Sequence, residues 1–309
     1  MGTGRGQGPR ALIPRVHHRI LLDTDLGSDV DDELALALLW GSPEVDLLGV
    51  STTYGDVALR ARIALAMGVL AHRPVTVAPG HSTPASGKDV WWAGHEGDAY
   101  DLLTAAIPEE GWAQPSPGAV LLANGAAGAE ILAIAPLTTV AAAIDLGIEQ
   151  VERIWIMGGD FRDPSAAEHN IASDVVAARR VLESGLPISI VGVDVTRQVV
   201  FTETEIRRFE ACGELGRIVA AEMRAWMARW DEDFEVPHDP LTALALLQPE
   251  LFTFTPPVAV SVSDEGAVRW VEGPGTVRIA VGVDIDAART VMADRIARGL
   301  GERQDHVAR

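Results

Sequence analysis

The sequence predicts an α/β fold: a doubly wound, mainly parallel sheet flanked by helices, with a small antiparallel hairpin near the C-terminus. Three observations lead there. Short apolar runs alternate with longer helical patterns over most of the 309 residues, as expected of repeated βα units. The runs are continuously apolar and not alternating, as strands buried on both faces are. The helical patterns stop near a Gly or a Pro, the residues that end helices.

In chain order the expected strands are RILLD (19–23), VDLLGVSTT (45–53), PVTVAPG (74–80), AVLLAN (119–124), EILAIAP (130–136), RIWIMGG (153–159) and PISIVGVDV (187–195). Between them DDELALALLWG (31–41), ALRARIALAMGVLA (58–71), LTTVAAAID (137–145) and SDVVAARRVLESG (173–185) carry helical patterns. Residues 203–248 read as mostly helical. VAVSVSDEGAVRWVEG (258–273) and VRIAVGVDID (277–286) read as an antiparallel hairpin, followed by an amphipathic helix over about 287–300. No linker, repeat or low-complexity stretch divides the chain. We read 1–18 as a flexible leader (His17 and His18 included), 19–300 as one domain and 301–309 as a frayed tail.

Composition excludes several function classes. With 44 acidic against 25 basic residues the net charge is −19, which argues against nucleic acid or an anionic membrane as partner, since both need clustered Lys and Arg. Lysine occurs once, as Lys88. The only cysteine, Cys212, rules out an intramolecular disulfide and a multi-cysteine metal site. No run of eighteen apolar residues and no signal-peptide core is present, so cytoplasmic location is the default expectation.

The chemistry concentrates in DTDLGSDVDDELAL (23–36), where five aspartates, Asp23, Asp25, Asp29, Asp31 and Asp32, follow an apolar strand. Ligands of open α/β sheets bind beyond the carboxyl ends of strands. A helix N-terminus tolerates one or two carboxylates, enough to account for Asp31 or Asp32 but not for all five. Several hard oxygen donors in one loop suggest calcium or magnesium. An EF-hand fails on register, because Gly27 falls at position five and Leu34 at twelve. A haloacid-dehalogenase-type phosphatase would use Asp23 and Asp25 as nucleophile and acid/base, but it needs a cation near the phosphate, and Lys88 does not follow its pattern.

The stretch DTDLGSDVDDELAL resembles the N-terminal motif of the inosine–uridine-preferring nucleoside hydrolase family, D-x-D-x-G-x-D-D. Further blocks agree in order: STTYGD (51–56), GHEG (94–97), APLTTVAAAI (135–144), IMGGDF (156–161), AEHNIASD (167–174), VDVT (193–196) and HDPLTAL (238–244). The resemblance covers about residues 19 to 245 and implies calcium-dependent hydrolysis of a ribonucleoside to base and ribose, with metal-bound water as nucleophile. It implies Asp25 and Asp32, the backbone carbonyl of Thr138 and the carboxylate of Asp239 as ligands of Ca2+, with Asp25 also taking the water's proton. Asp31, Glu168 and Asn170 would bind the ribose hydroxyls, Asp23 would support the loop from behind, and His238 would stand near the leaving base. A homodimer or homotetramer is implied as well. The chemistry agrees: N-glycosidic cleavage builds positive charge on the sugar and negative charge on the base, which carboxylates and an acid respectively offset. A catalytically weak, calcium-bound nucleoside binder would not need both Asp25 and His238.

The motif carries two extra residues, so Gly27 is followed by SDVDD. We align Asp31 and Asp32 with the paired aspartates, which leaves Asp29 as an additional carboxylate near the metal loop. Asp56 replaces an asparagine and is expected beside the substrate; PLTT replaces PLTN. Trp226 and Trp230, four apart on an expected helix, are placed to stack on a base, or to pack in a core or interface. His95 and Glu96 read as structural.

Overall fold

Every second residue of the first strand packs to the same side, and the two sides carry separate cores. In the computed structural model, which describes residues 17–107, 116–148, 150–163, 165–271 and 273–301, the first half comprises β1 (His18–Thr24), α1 (Asp31–Trp40), β2 (Val45–Thr52), α2 (Val57–Leu70), β3 (Val77–Pro79), α3 (Asp101–Thr104), α4 (Pro117–Gly125), β4 (Glu130–Ala133), α5 (Thr138–Gly147) and β5 (Arg153–Met157). The second half comprises α6 (His169–Ser173), α7 (Val175–Leu182), β6 (Ile188–Val191), α8 (Val193–Thr196), α9 (Glu203–Glu210), α10 (Glu214–Trp230), α11 (His238–Leu247), β7 (Phe252–Phe254), β8 (Ala259–Val262), β9 (Val268–Val271), β10 (Val277–Val283) and α12 (Ile285–Leu300). Eight strands form one sheet in the order β3-β2-β1-β4-β5-β6-β10-β7, and β8 and β9 form a separate antiparallel pair. All neighbours in the large sheet are parallel except β10 and β7.

Ile20 and Leu22 pack with α1, α2, α10, α11 and α12. Leu21, between them, packs with α4, α5, α7 and the hairpin. This alternation is the strand period of two, with both faces covered, and it explains why the strands read as unbroken apolar runs.

Three expected elements differ. The strand expected over 187–195 ends at Val191, and Val193–Thr196 forms α8. AVLLAN is not a strand: it lies in α4, whose Leu121 packs so close to β2 that a side chain on Gly49 would meet Leu121 Cδ2 at 2.9 Å. Pro117 sits in its first turn, where proline is favoured, and a short apolar run by itself does not separate a buried helix from a buried strand. The hairpin closes within 258–273, and Val277–Val283, which touches it at a Val258–Val277 bridge, joins the main sheet between β6 and β7. The strand β1 also starts at His18, whose Nδ1 lies 2.7 Å from Glu130 Oε2; the remainder of the leader up to residue 16, and the tail after Gly301, lie outside the described residues. No described helix is long and apolar enough to cross a membrane.

The strand order reverses at β1. The chain runs outward to β2 and β3, then returns to place β4 on the other flank of β1. Such a switch point leaves a crevice beyond the strand ends, and the aspartate-rich loop begins there.

Candidate active site

The loop from Asp23 to Asp32 is shaped by its own residues and by one buried arginine. Gly27 takes φ +102°, and a side chain there would come within 2.6 Å of Ile63 Cδ1, so only glycine makes this turn. The Thr24 hydroxyl donates to Asp32 Oδ1, which also accepts the Asp25 amide at 3.2 Å. From the far end of the chain α11 brings Asp239, whose amide donates to Asp31 Oδ2 at 3.3 Å. One carboxylate oxygen from each of Asp31, Asp32 and Asp239 lies within 4.8 Å of the others, and all three residues are buried. Burial first, and then neighbouring carboxylates, push each of the three well above the usual range. Buried like charges at this spacing are unfavourable unless a cation or protons join them. The donor set is all hard oxygen, which suits calcium or magnesium and not a soft metal.

Above the trio lies a cavity of about 470 Å³, lined by Asp25, Asp29, Asp31, Asp32, Glu168, Asn170, Trp226, Trp230, His238 and Asp239 among others. The fold brings these ten together from four segments of chain. Burial raises the pKa of the Asp25 carboxylate, while the nearby Arg60 and His169 oppose the rise. Glu168 caps α6: its oxygens accept from Asn170, Gly159 and Ile171 amides at 2.7, 3.0 and 3.1 Å. The Asn170 side-chain amide donates to the Ile134 and Met157 carbonyls at 3.2 and 3.3 Å, and among the described residues nothing donates to its Oδ1. The Trp226 and Trp230 rings meet edge to face with centroids 5.7 Å apart, and Trp230 is 52 % exposed. His238 Nδ1 lies 2.5 Å from the Thr196 hydroxyl, and burial, helped by Arg197, pulls its pKa down to about 4.

Other expected residues stand elsewhere. Asp56 is exposed and outside the cavity: it caps α2, accepting the Leu59 amide at 2.9 Å, which corrects its placement beside the substrate. Thr138 opens α5, and its hydroxyl donates to Asp174 Oδ2 at 2.7 Å, while its side chain does not line the cavity. Asp23 is fully buried behind the loop, neither oxygen has a hydrogen-bond partner among the described residues, and burial pushes its pKa up to about 8. Asp29 accepts the Val30 amide at 2.6 Å and also lines a second cavity of about 370 Å³ behind Trp226. Lys88, the cation that a phosphatase reading would need, is exposed and donates to the Ala172 carbonyl at 2.9 Å. His95 Nε2 lies 2.9 Å from the Ser28 carbonyl, and Glu96 accepts the amides of Ala93 and Gly94, so both serve the loops, as expected of structural residues.

Three residues escaped the sequence reading. Arg60, fully buried in α2, donates to the carbonyls of Asp25, Leu26 and Tyr54 and to the Ser28 hydroxyl, with Trp92 stacked at 5.0 Å. It pins the part of the loop that carries the two extra residues; the only signal was a charge inside the apolar pattern ALRARIALAM. Glu235 is buried beside Asp31, and burial pushes its pKa up to about 9. Asp174 ties Thr138 to the amides of Ala85 and Ser86 at 2.6 and 3.1 Å.

Comparison with known proteins places the chain among nucleoside hydrolases. The chain is 32 % identical over 254 residues to the pyrimidine-specific ribonucleoside hydrolase of Klebsiella pneumoniae, covering 76 % of this chain and 81 % of that one. It is 31 % identical to a probable uridine nucleosidase 2 of Arabidopsis thaliana, covering 90 % and 97 %. Among solved structures it superposes on the purine-preferring ribonucleoside hydrolase from Gardnerella vaginalis with a TM-score of 0.78 at 25 % identity, covering 91 % and 99 %. The family model for inosine-uridine preferring nucleoside hydrolases matches residues 20–290. With the aspartate trio at the sheet's switch point and these matches along nearly its whole length, the chain belongs to the inosine–uridine preferring nucleoside hydrolases, a family of N-glycosyl hydrolases.

Proposed function

We propose that the cavity hydrolyses a ribonucleoside to free base and ribose, with calcium at its floor and water as nucleophile. The observation that carries this is the convergence of Asp31, Asp32 and Asp239, from segments about 200 residues apart, on one buried point beneath a nucleoside-sized cavity. The named relatives act on uridine, on pyrimidine or on purine ribonucleosides, which supports the substrate class and leaves the base to this chain's own residues. The resemblance also supports a homodimer or homotetramer, to be read by light scattering.

Asp32 and Asp239 belong both to the ligand set that the resemblance implies and to the geometric trio, so they would hold the cation, with Asp25, Asp31 and the Thr138 carbonyl around it. Such an ion would acidify a bound water and anchor ribose hydroxyls. Asp31, Glu168 and the Oδ1 of Asn170 receive the sugar hydroxyls. Asp25 takes a proton from the water as its oxygen bonds to C1′, and the C1′–N electron pair departs with the base. Carboxylates around the ring favour its oxocarbenium character. With a pKa near 4, His238 is neutral at pH 7. We assign the single Thr196 hydroxyl hydrogen to His238 Nδ1, at 2.5 Å, in preference to the Val193 carbonyl, at 3.4 Å, so that Nε2 carries a hydrogen that bonds to the base more strongly as charge builds there.

The test combines turnover and binding. Purified protein is expected to release reducing sugar from at least one natural nucleoside, and chelation to abolish it. Asp25→Ala is expected to lower kcat about 100- to 10,000-fold, the usual contribution of a positioned base, with calcium still bound by calorimetry. A folded protein that neither binds calcium nor releases sugar would refute the proposal.

A further inference from the structure

We propose that Arg197 receives the negative charge of the departing base and favours bases that leave as an amidate, with a carbonyl beside the glycosidic nitrogen. This rests on the hydrolase reading above. Among the described residues lining the cavity, Arg197, which is exposed at its rim, is the single arginine or lysine, against seven carboxylates. Arg60 is bound by carbonyls, and Arg179, Arg224, Arg289 and Arg295 each pair with a carboxylate. Among the described residues the Arg197 side chain has no ion pair and no hydrogen bond. A guanidinium that lines a carboxylate-rich cavity and stays unpaired has its whole fork of donors available to a ligand.

Its position is set by the backbone. Arg197 caps α8, its amide donating to the Val193 carbonyl at 3.0 Å, and the preceding residue, Thr196, meets His238 Nδ1 at 2.5 Å. Arg197 and His238 therefore stand at the same end of the cavity, and the Arg197 charge is felt at His238. The metal-ligand trio and Asp25 form the negative floor. A sugar that becomes positive over the floor and a base that becomes negative toward Arg197 match this polarity.

In the step itself, water oxygen bonds to C1′, its proton goes to Asp25, and the C1′–N pair moves onto the base. In a 2-oxopyrimidine that pair spreads over the nitrogen and the adjacent carbonyl oxygen, a carboxylate-like edge that suits a guanidinium fork. Adenine has no carbonyl, and its charge stays on ring nitrogens. An alternative ligand for a free guanidinium is the phosphate of a nucleotide, and the experiment separates the two.

Wild type, Arg197→Met and Arg197→Lys are compared on uridine, adenosine, 4-nitrophenyl riboside and uridine 5′-monophosphate, with the thermal midpoint of each protein. Arg197→Met is expected to lower kcat on uridine about 100-fold, as removal of one charge-stabilising donor does. KM and the midpoint should change little. The losses on adenosine and on the activated nitrophenyl riboside should stay below about threefold, with partial recovery by Arg197→Lys. Equal loss on all three ribosides would overturn the inference in favour of a structural role. A wild type that prefers uridine 5′-monophosphate, and loses that preference in Arg197→Met, would overturn it in favour of phosphate binding. A wild type inactive on every riboside would refute the hydrolase reading and this one with it, whereas the first two failures leave the hydrolase reading standing.

Discussion

At the amino end of α1, Asp31 and Asp32 are buried beside Asp239, and among the described residues Thr24 is the only side chain that donates to the trio. At its carboxyl end Arg295 donates to Ser42 Oγ at 2.7 Å and to Glu44 at 2.5 Å, while Arg298 Nε donates to the Gly41 carbonyl at 3.0 Å. One helix thus has buried charge at both ends, matched at one and unmatched at the other. The matched end serves packing: Gly41 and Gly299 let α1 and α12 touch, for a side chain on either would lie 1.8 Å from a carbonyl of the other helix. The unmatched end keeps its oxygens for a ligand, as ligand sites often do at the expense of local stability.

The comparison breaks first under paired substitutions. Asp32→Asn is expected to lower kcat/KM by about three orders of magnitude, since it removes a metal anchor worth several kcal/mol to the transition state. The metal-free protein should melt no lower than wild type, because one of the crowded carboxylates is gone. Arg295→Met should do the reverse. It should cost about 2–3 kcal/mol of stability, less than a fully buried pair because Glu44 is partly solvated, and leave turnover per folded molecule unchanged. Chemical denaturation with parallel assays reads both. An Asp32→Asn protein that melts far below wild type without metal would show that the trio holds the fold together.

The same contrast marks what the sequence discloses. Asp25, Asp31 and Asp32 were legible because they crowd one short motif, and β1, β2, β4, β5 and β6 because strands buried on both faces are unbroken apolar runs. Arg60 and Glu235 were not legible, since their partners, the Asp25 and Leu26 carbonyls and the region of Asp31, are set by tertiary approach and not by spacing. AVLLAN reads as a strand because five consecutive apolar residues fit either period, and the deciding contact, Leu121 against Gly49, lies about 70 residues away.

A second, smaller effect follows from pH. At the unmatched end, burial raises Asp23 to about 8 and Glu235 to about 9. Below those values the folded, metal-free protein holds protons that the unfolded chain releases down to about pH 4. Stability therefore rises as pH falls from 9 toward 5. At the matched end, burial pushes Glu44 up, but its hydrogen bond and charge pairing with Arg295 leave it below its usual value. Its contribution is full above the unfolded pKa near 4.5 and is lost as pH falls through the folded value. With a chelator present, the thermal midpoint should be several degrees higher at pH 6 than at pH 8.5, and it should drop again below about pH 4. Saturating calcium should flatten the rise, since deprotonated carboxylates are then the favoured form. A metal-free midpoint that increases between pH 6 and 8.5 would contradict the unmatched state of the amino end.

The smallest effect distinguishes a carboxylate that serves the fold from one that serves the site. Asp56 follows the STTYG block, where the resemblance placed it beside the substrate, yet its side chain caps α2 through the Leu59 amide and is exposed to solvent. Removing a capping aspartate costs about 1 kcal/mol of stability. Asp56→Ala should therefore lower the unfolding free energy by about that amount and leave kcat/KM within about twofold of wild type, whereas Asp56→Ser, which retains a capping oxygen, should recover most of the loss. A tenfold fall in kcat/KM that Asp56→Ser did not repair, at unchanged stability, would mean that this carboxylate reaches the sugar after all, and that capping is the lesser of its roles.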